Sequence, residues 1–495
     1  MTALDILRQR TRRLSGHPVA KGADYVLCWV QQSLRAEVNP LIDVALALGN
    51  TLGLPVVVLH TLENRYPYAS HRIHRFMLEA SQDLGPGVEA RGLRFARYVR
   101  PGPAGGDAAG TVEIAARVAQ RAAAVFVDDV PTFVTPEYAS GLVEALDRPV
   151  FAVDACCAVP MNAIRRHIRT TKAFRAAHTP LRSTYVETVT RQQPDAERFD
   201  GDLDLPETPD LDDFDSDALD DFIRQCGVDL TVPPAEGWSG RRSAALDQLA
   251  TAVEDVVGRY KWTRNNPAIT PGSARISPWM HFGVLSPLEV ARAVLDGEAD
   301  GHIHRDARWK FLDEMLTWRE VYHHRCRHEP DWARFDGLPT WVQATLQEHA
   351  DDPRRLYPLD QLAHGETGDE TWNAAQKAFT LDGWMNNNLR MYWVKQILRW
   401  RPSPADAFAT ACYLNDRFSL DGRDASTYGG IRWGFGEAKR GYRDVPIYGW
   451  VPPRSDSSLR KRTGVSAWLA EQATREIPVR AEVPSDPPPE FDRYR

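Results

Sequence analysis

The sequence predicts a two-domain chain, α/β then all-α, with an acidic segment between the two. Three observations carry this. In residues 1–190, short runs rich in Val, Phe and Tyr alternate with helical patterns. From about residue 236 the strand patterns vanish and helical periodicity takes over. At 495 residues the chain is also too long for one ordinary core, so two bodies are expected.

The first domain is read in order. DYVLCWV (24–30), PVVVLHTL (55–62), LRFARYV (93–99), AVFVDDV (124–130) and PVFAVDA (149–155) read as strands bounded by turn residues. NPLIDVALALGNTLG (39–53), SHRIHRFMLEASQDL (70–84) and TVEIAARVAQRAA (111–123) read as the helices between them. A βαβαβ order predicts an open, mostly parallel, Rossmann-like sheet with helices on both faces. No G-x-G-x-x-G follows the first strand and no Walker A run occurs, so the sheet lacks a nucleotide fingerprint. PGPAGGDAAG (101–110) reads as a flexible loop.

Residues 191–235 are the linker. Positions 195–230 hold 14 acidic residues against two arginines, a local charge of −12 within a chain of net charge −7. Such a block reads as a solvated tether. The rest of the chain therefore carries +5, which leaves nucleic-acid binding open without arguing for it.

DQLATAVEDVVGRY, SPLEVARAVLDG, ARWKFLDEMLTWREVYHH, TWNAAQKAFT, NNNLRMYWVKQILRW and SPADAFATACYLNDRF follow as helices of a domain over 236–480. Residues 481–495 form a Pro-rich tail expected to be poorly ordered. The opening residues lack a secretory h-region and no apolar run is long enough for a membrane span. The six cysteines form no CxxC pair, so a cytoplasmic chain without a disulfide scaffold or zinc module is expected. His323, His324, Cys326 and His328 do not share one helix face, and no metal site is assigned.

Tryptophan concentrates in the helical half. Trp393 and Trp400 lie seven residues apart, roughly on one helix face and about 10 Å apart along its axis. An aromatic pair so spaced is ordinarily a core stripe; the alternative is a stepping-stone path for an electron, which requires a buried redox cofactor.

RMYWVKQILRW (390–400) and YLNDRFSLDGRDASTYGGIRWGFG (413–436) resemble class II cyclobutane pyrimidine dimer (CPD) photolyases, of the photolyase/cryptochrome family. RNNPAITPGSARISPWMHFGVLSP (264–287) resembles that family's flavin-binding turn, and WVQQSLRAEVNP and ENRYPYASHRIHRFMLE resemble its opening more weakly. The resemblance implies an antenna-type first domain, whose chromophore (deazaflavin or folate, if one is present) is not identified. It also implies FAD folded into a U inside the helical domain, and light-driven electron donation from reduced flavin to a dimer in DNA. By the same resemblance Tyr260, Ser273, Ser277, Arg390, Asn415 and Asp421 bind FAD. Asn415 then faces flavin N5 as a neutral amide, and Arg390 and Asp421 form an ion pair beside the ring system. Trp393, Trp372 and Trp400 are the inner, middle and outer electron relays.

For the substrate, the resemblance implies a flipped-out dimer held by Trp318, Met391 and Trp433, with Glu314 hydrogen-bonded to it. Asp313 beside Glu314 leaves a one-residue ambiguity. Lys439, Arg440, Arg443, Arg460, Lys461 and Arg462 are candidates to meet phosphates. The expected partner is DNA containing pyrimidine dimers, with no membrane involved and the protein acting as a monomer. One departure stands out: Asn386, Asn387 and Asn388 occupy a stretch where the family usually has a His-Gly-aromatic pattern. A cryptochrome-like photoreceptor, or a flavoprotein of this fold with a changed substrate, therefore stays open beside the repair enzyme.

Overall fold

In a computed structural model, which describes all residues except 104, 302, 438, 439 and 442, the first domain is built on a six-stranded sheet of order β1-β6-β5-β2-β3-β4. The strands are β1 (Thr11–Arg13), β2 (Tyr25–Val30), β3 (Val56–Leu62), β4 (Arg94–Val99), β5 (Ala122–Asp128) and β6 (Val150–Val153). All neighbours are parallel except β1, which pairs antiparallel with β6 at the edge. β2, β3 and β5 are buried along their whole length, which is why they read as continuous apolar runs rather than alternating ones.

The two sheet faces go to different cores. Tyr25, Leu27, Trp29, Val57 and Leu59 face one. Val26, Cys28, Val30, Val56 and Val58 face a second that continues without a break into Trp279, Met280, Val284 and Leu285 of the helical half. The junction is tight. Arg35 donates to the carbonyls of Gly283 (2.7 Å) and Ala155 (2.9 Å), and Leu34 N–H donates to Phe282 O at 3.1 Å. Gly283 has φ +65°, and a Cβ there would lie 2.5 Å from Gln32 O, so only glycine fits.

Residues 191–235 do not form a solvated tether. Leu203, Leu211, Leu219 and Ile223 are buried, and a helix, Ser216–Gln225, packs on the helix His71–Glu89. His71 and Arg75 meet Asp220 at 2.8 and 2.5 Å, and Arg97 meets Asp212 at 2.7 Å. The acidic run is thus a belt matched to cations of the first domain. Residues just before it turn the other way: Arg175 pairs with Asp313, and His178 with Glu320, both partners in the helical half.

The helical half has its own core around Trp372, Trp393, Ile397, Phe408, Phe418 and Ile431. The tail is ordered, contrary to its composition: Phe491 and Tyr494 are completely buried in that core, and Arg495 reaches Asp406 at 2.8 Å. Two apolar anchors outweigh the prolines. Among the described residues, no helix is long and apolar enough to cross a membrane.

Candidate functional site

The helix Asn387–Trp400 organises the candidate site. Asn386 caps it, its side chain accepting from Asn388 N–H, and Asn386 Nδ2 donates to Arg264 O at 3.0 Å. Asn388 Nδ2 donates to Asn265 O at 2.8 Å, and its carbonyl accepts from Arg454. Asn387 is exposed. The amides of Asn386 and Asn388 thus tie the RNNP turn to the helix start, and this local work accounts for two of the three asparagines.

The predicted cofactor residues come from four separate segments. Arg390 Nη1 donates to Asn415 Oδ1 at 3.1 Å, and Nη2 meets Asp421 Oδ1 at 3.4 Å. All three are buried. Ser277 opens a short helix, and its hydroxyl accepts from Trp384 Nε1 at 3.1 Å; Ser273 lies half-buried in the turn before it. Tyr260 packs edge-on against Phe311 at 5.1 Å with the Arg264 guanidinium 5.8 Å from its ring, and burial pushes its phenol pKa up. The set suits an anionic, hydrogen-bonding cofactor: Arg264 Nε is buried without a hydrogen-bond partner among the described residues, and serine hydroxyls lie at the helix start.

The tryptophans line up as a ladder. Trp393 stacks on Trp372 with ring centroids 6.1 Å apart and planes 3° from parallel. Trp372 then meets Trp400 edge-on at 5.4 Å. The middle ring, carried by Glu370–Asp382, fills the gap that the seven-residue spacing leaves. Both inner indoles are held: Trp393 Nε1 donates to Gln376 Oε1 at 2.8 Å, and Trp372 Nε1 to Trp393 O at 3.1 Å. Phe379 lies between Trp393 (5.8 Å) and the Arg390 guanidinium (6.0 Å), so the inner end of the ladder abuts the Arg390–Asn415–Asp421 cluster.

On the substrate side, a π-helical turn, Asp313–Trp318, separates two acids that sequence spacing left ambiguous. Asp313 binds Arg175 through both oxygens at 2.8 and 3.0 Å. Glu314 pairs with Arg264 at 3.0 Å and Lys310 at 2.5 Å. Trp318 and Trp433 line one cavity of about 800 Å³. Trp433 and Met391 line a neighbouring one of about 490 Å³. Trp433, 41% exposed, therefore stands between the two, while Glu314 lines neither. Of the candidate phosphate contacts, Arg460 is engaged by Asp456 at 2.9 Å, Arg440 lies over Trp450 at 4.4 Å, and Lys439 falls outside the described residues.

Sequence reading missed three features. Lys395, one turn after Met391, lines the smaller cavity while almost wholly buried, and burial followed by Arg454 lowers its pKa to about 7. Asp416, directly after Asn415, is buried among hydroxyls. At the carboxyl ends of β2, β3 and β5, Gln31, Glu63, Tyr66, Thr111 and Tyr138 line a small cavity of about 80 Å³. Glu63, Tyr66, Thr111 and Tyr138 also line an open cleft of about 630 Å³. A Lys or Asp inside an apolar helix run was the available signal for the first two.

A parallel α/β sheet docked on a helical body is the fold shared with solved photolyases and cryptochromes. No family model matches the chain. A curated relative from Methanothermobacter thermautotrophicus, named deoxyribodipyrimidine photo-lyase, is 28% identical over 478 residues, covering 93% of this chain and 97% of its own length. A Synechocystis cryptochrome superposes with a TM-score of 0.63 at 15% identity, covering 90% of this chain and 89% of that one. An archaeal photolyase from Sulfolobus tokodaii, solved with two FAD molecules, gives a TM-score of 0.63 at 14% identity over 90% of each chain. The chain is thus similar along nearly its whole length to a protein named deoxyribodipyrimidine photo-lyase, and it shares the fold of solved photolyases and cryptochromes.

Proposed function

We propose that this protein is a light-driven, FAD-dependent DNA photolyase of the class II type that splits cyclobutane pyrimidine dimers. The observation that carries the proposal is the Trp393–Trp372–Trp400 ladder ending at Arg390, Asn415 and Asp421, because an indole path that leads to a buried polar cluster gives electron transfer to a redox cofactor held there, a use beyond core packing. When bound, FAD supplies the light absorption and the electron that cleaves the dimer.

The chain's own residues do the rest. Arg390 and Asp421 keep a compensated charge pair beside the cofactor, so no unpaired charge is buried. Asn415 offers a neutral carbonyl acceptor toward N5. Ser273 and Ser277 hold phosphate oxygens at the turn into the short helix. With FAD bound, Trp400, Trp372 and Trp393 would relay an electron inward toward the Arg390 cluster. Trp318 and Trp433 wall the pocket for an extruded dimer, each stack contributing roughly 1–3 kcal/mol per base. Glu314 is tied to Arg264 and Lys310 and lines neither cavity, so its role toward the pyrimidine edge rests on the family resemblance alone. The cleft bounded by Glu63, Tyr66 and Tyr138 is the place for an antenna chromophore, deazaflavin or folate. Gln31, both of whose polar atoms are buried without partners among the described residues, lines the small adjoining cavity of about 80 Å³ and not the cleft itself.

The test is binding in the dark. Labelled oligonucleotide carrying one thymine dimer is displaced by unlabelled damaged or intact strands, using protein loaded with FAD. Clear preference for the damaged strand is expected. Equal competition by intact DNA would refute dimer recognition.

A further inference from the structure

The buried carboxylate of Asp416 has no ion-pair partner among the described residues, yet it is fully hydrogen-bonded. Its Oδ1 accepts from Asn415 Nδ2 at 3.0 Å and from Arg423 N–H at 2.8 Å. Its Oδ2 accepts from Tyr428 at 2.6 Å and Tyr494 at 2.8 Å. Tyr494 has a single hydroxyl proton. With that proton given to Asp416, its 3.0 Å contact with Tyr68 has Tyr68 as donor. One anion thus collects donors from its own helix, the following turn, the helix Ala425–Gly434 and the chain's last turn. Buried charge of this kind persists only when every lone pair is met.

The consequence falls on Asn415. A carboxylate only accepts and a guanidinium only donates. Asp416 on one side demands the Nδ2 end of the amide, and Arg390 on the other, at 3.1 Å, demands the Oδ1 end. A flipped amide would set C=O against carboxylate and N–H against guanidinium, two repulsions in a buried site. Two charges of opposite sign therefore fix one amide orientation.

We propose that Asp416, braced by Tyr428 and by Tyr494 of the C-terminal turn, is a positioning residue that locks the Asn415 carbonyl toward the flavin and thereby sets the flavin's reduction potential. This rests on the reading that FAD binds with N5 facing Asn415. Asp416 does not touch the cofactor in this account; it acts through Asn415. The C-terminal turn is accordingly part of the electronic setting of the site rather than a loose end.

The test is the midpoint potential of bound FAD, from dye-equilibrated reduction of the full-length holoprotein. It is measured for wild type, Asp416→Asn, Asn415→Ala and the double variant. Asp416→Asn should move the potential toward that of Asn415→Ala, and in the Asn415→Ala background the same change should move it little further. An equal shift in both backgrounds is the mark of a charge acting through space and would overturn the proposal. No shift with FAD stoichiometrically bound would do the same. If Asp416→Asn fails to hold FAD, Tyr494→Phe and Tyr428→Phe each remove one donor and should shift the potential in wild type but not in Asn415→Ala; equal or absent shifts overturn it. A wild-type protein that binds no FAD contradicts the functional reading itself, and this is seen before any variant is compared.

Discussion

Removing both members of the Arg390–Asp421 pair should destabilise the protein by clearly less than the sum of removing each alone. The two charges stand 3.4 Å apart with side chains 8% and 10% exposed. At an effective dielectric of about 20, that separation corresponds to about 5 kcal/mol of attraction, offset by the desolvation of both groups. Ser419 also donates to Asp421 at 2.5 Å, and Arg390 to Asn415 at 3.1 Å. Each single variant, Arg390→Met or Asp421→Asn, therefore strands a buried partner. A loss of about 3–5 kcal/mol is expected for Arg390→Met, which leaves the buried Asp421 carboxylate without its counter-charge. Asp421→Asn should cost somewhat less, because the guanidinium retains Asn415. The double variant should recover about 1–3 kcal/mol relative to the sum of the singles. Urea unfolding followed by tryptophan fluorescence, with release of FAD as a second probe, supplies the cycle. Single variants within about 0.5 kcal/mol of wild type, or strict additivity, would refute the pair as a buried, coupled unit.

Three further outcomes are expected. Trp372→Phe should slow blue-light photoreduction of bound FAD by an external thiol, because it leaves Trp393 and Trp400 separated by about 10 Å of helix rise; an unchanged rate would refute Trp372 as the middle relay. Burial, and then the Arg454 charge, push the Lys395 pKa down to about 7 from the ordinary lysine value of 10.5, so between those pH values the unfolded chain holds a proton that the folded chain lacks and stability rises with pH. Lys395→Met should thus stabilise most at or below pH 7, by up to about 5 kcal/mol, and the gain should shrink toward pH 10; a pH-independent gain in thermal unfolding would contradict this. Gly283→Ala should destabilise the domain junction by about 1–3 kcal/mol, because φ is positive and Gln32 O occupies the space; wild-type melting would contradict the close approach.

What was legible in the sequence was what local pattern controls. The runs 24–30 and 55–62 announced buried parallel strands because every position is apolar or β-favouring. The three-residue strand Thr11–Arg13 carried no such signal, being a polar edge strand. The run 307–324 read as one helix, yet the π turn at Asp313–Trp318 cannot be seen in its residue types, and it is this turn that sends Asp313 and Glu314 to different partners. The acidic segment misled because its few apolar residues, Leu211, Leu219 and Ile223, are outnumbered by charges. The cations that neutralise those charges lie more than 100 positions away in sequence. Tyr494 was hidden for the same reason: its partners are Tyr68 and Asp416. Similarly, the i, i+7 spacing exposed Trp393 and Trp400, whereas insertion of Trp372 between them is a tertiary event, reached beforehand only through the family resemblance.

Under the function proposed above, light and reduced FAD let this protein split pyrimidine dimers. Reduced holoprotein should be mixed with oligothymidylate carrying defined cyclobutane dimers and illuminated with blue light beside a dark control. Light-dependent return of the ultraviolet absorbance of intact thymine is expected, with none in the dark. No return, with FAD shown to be bound and fully reduced, would contradict it.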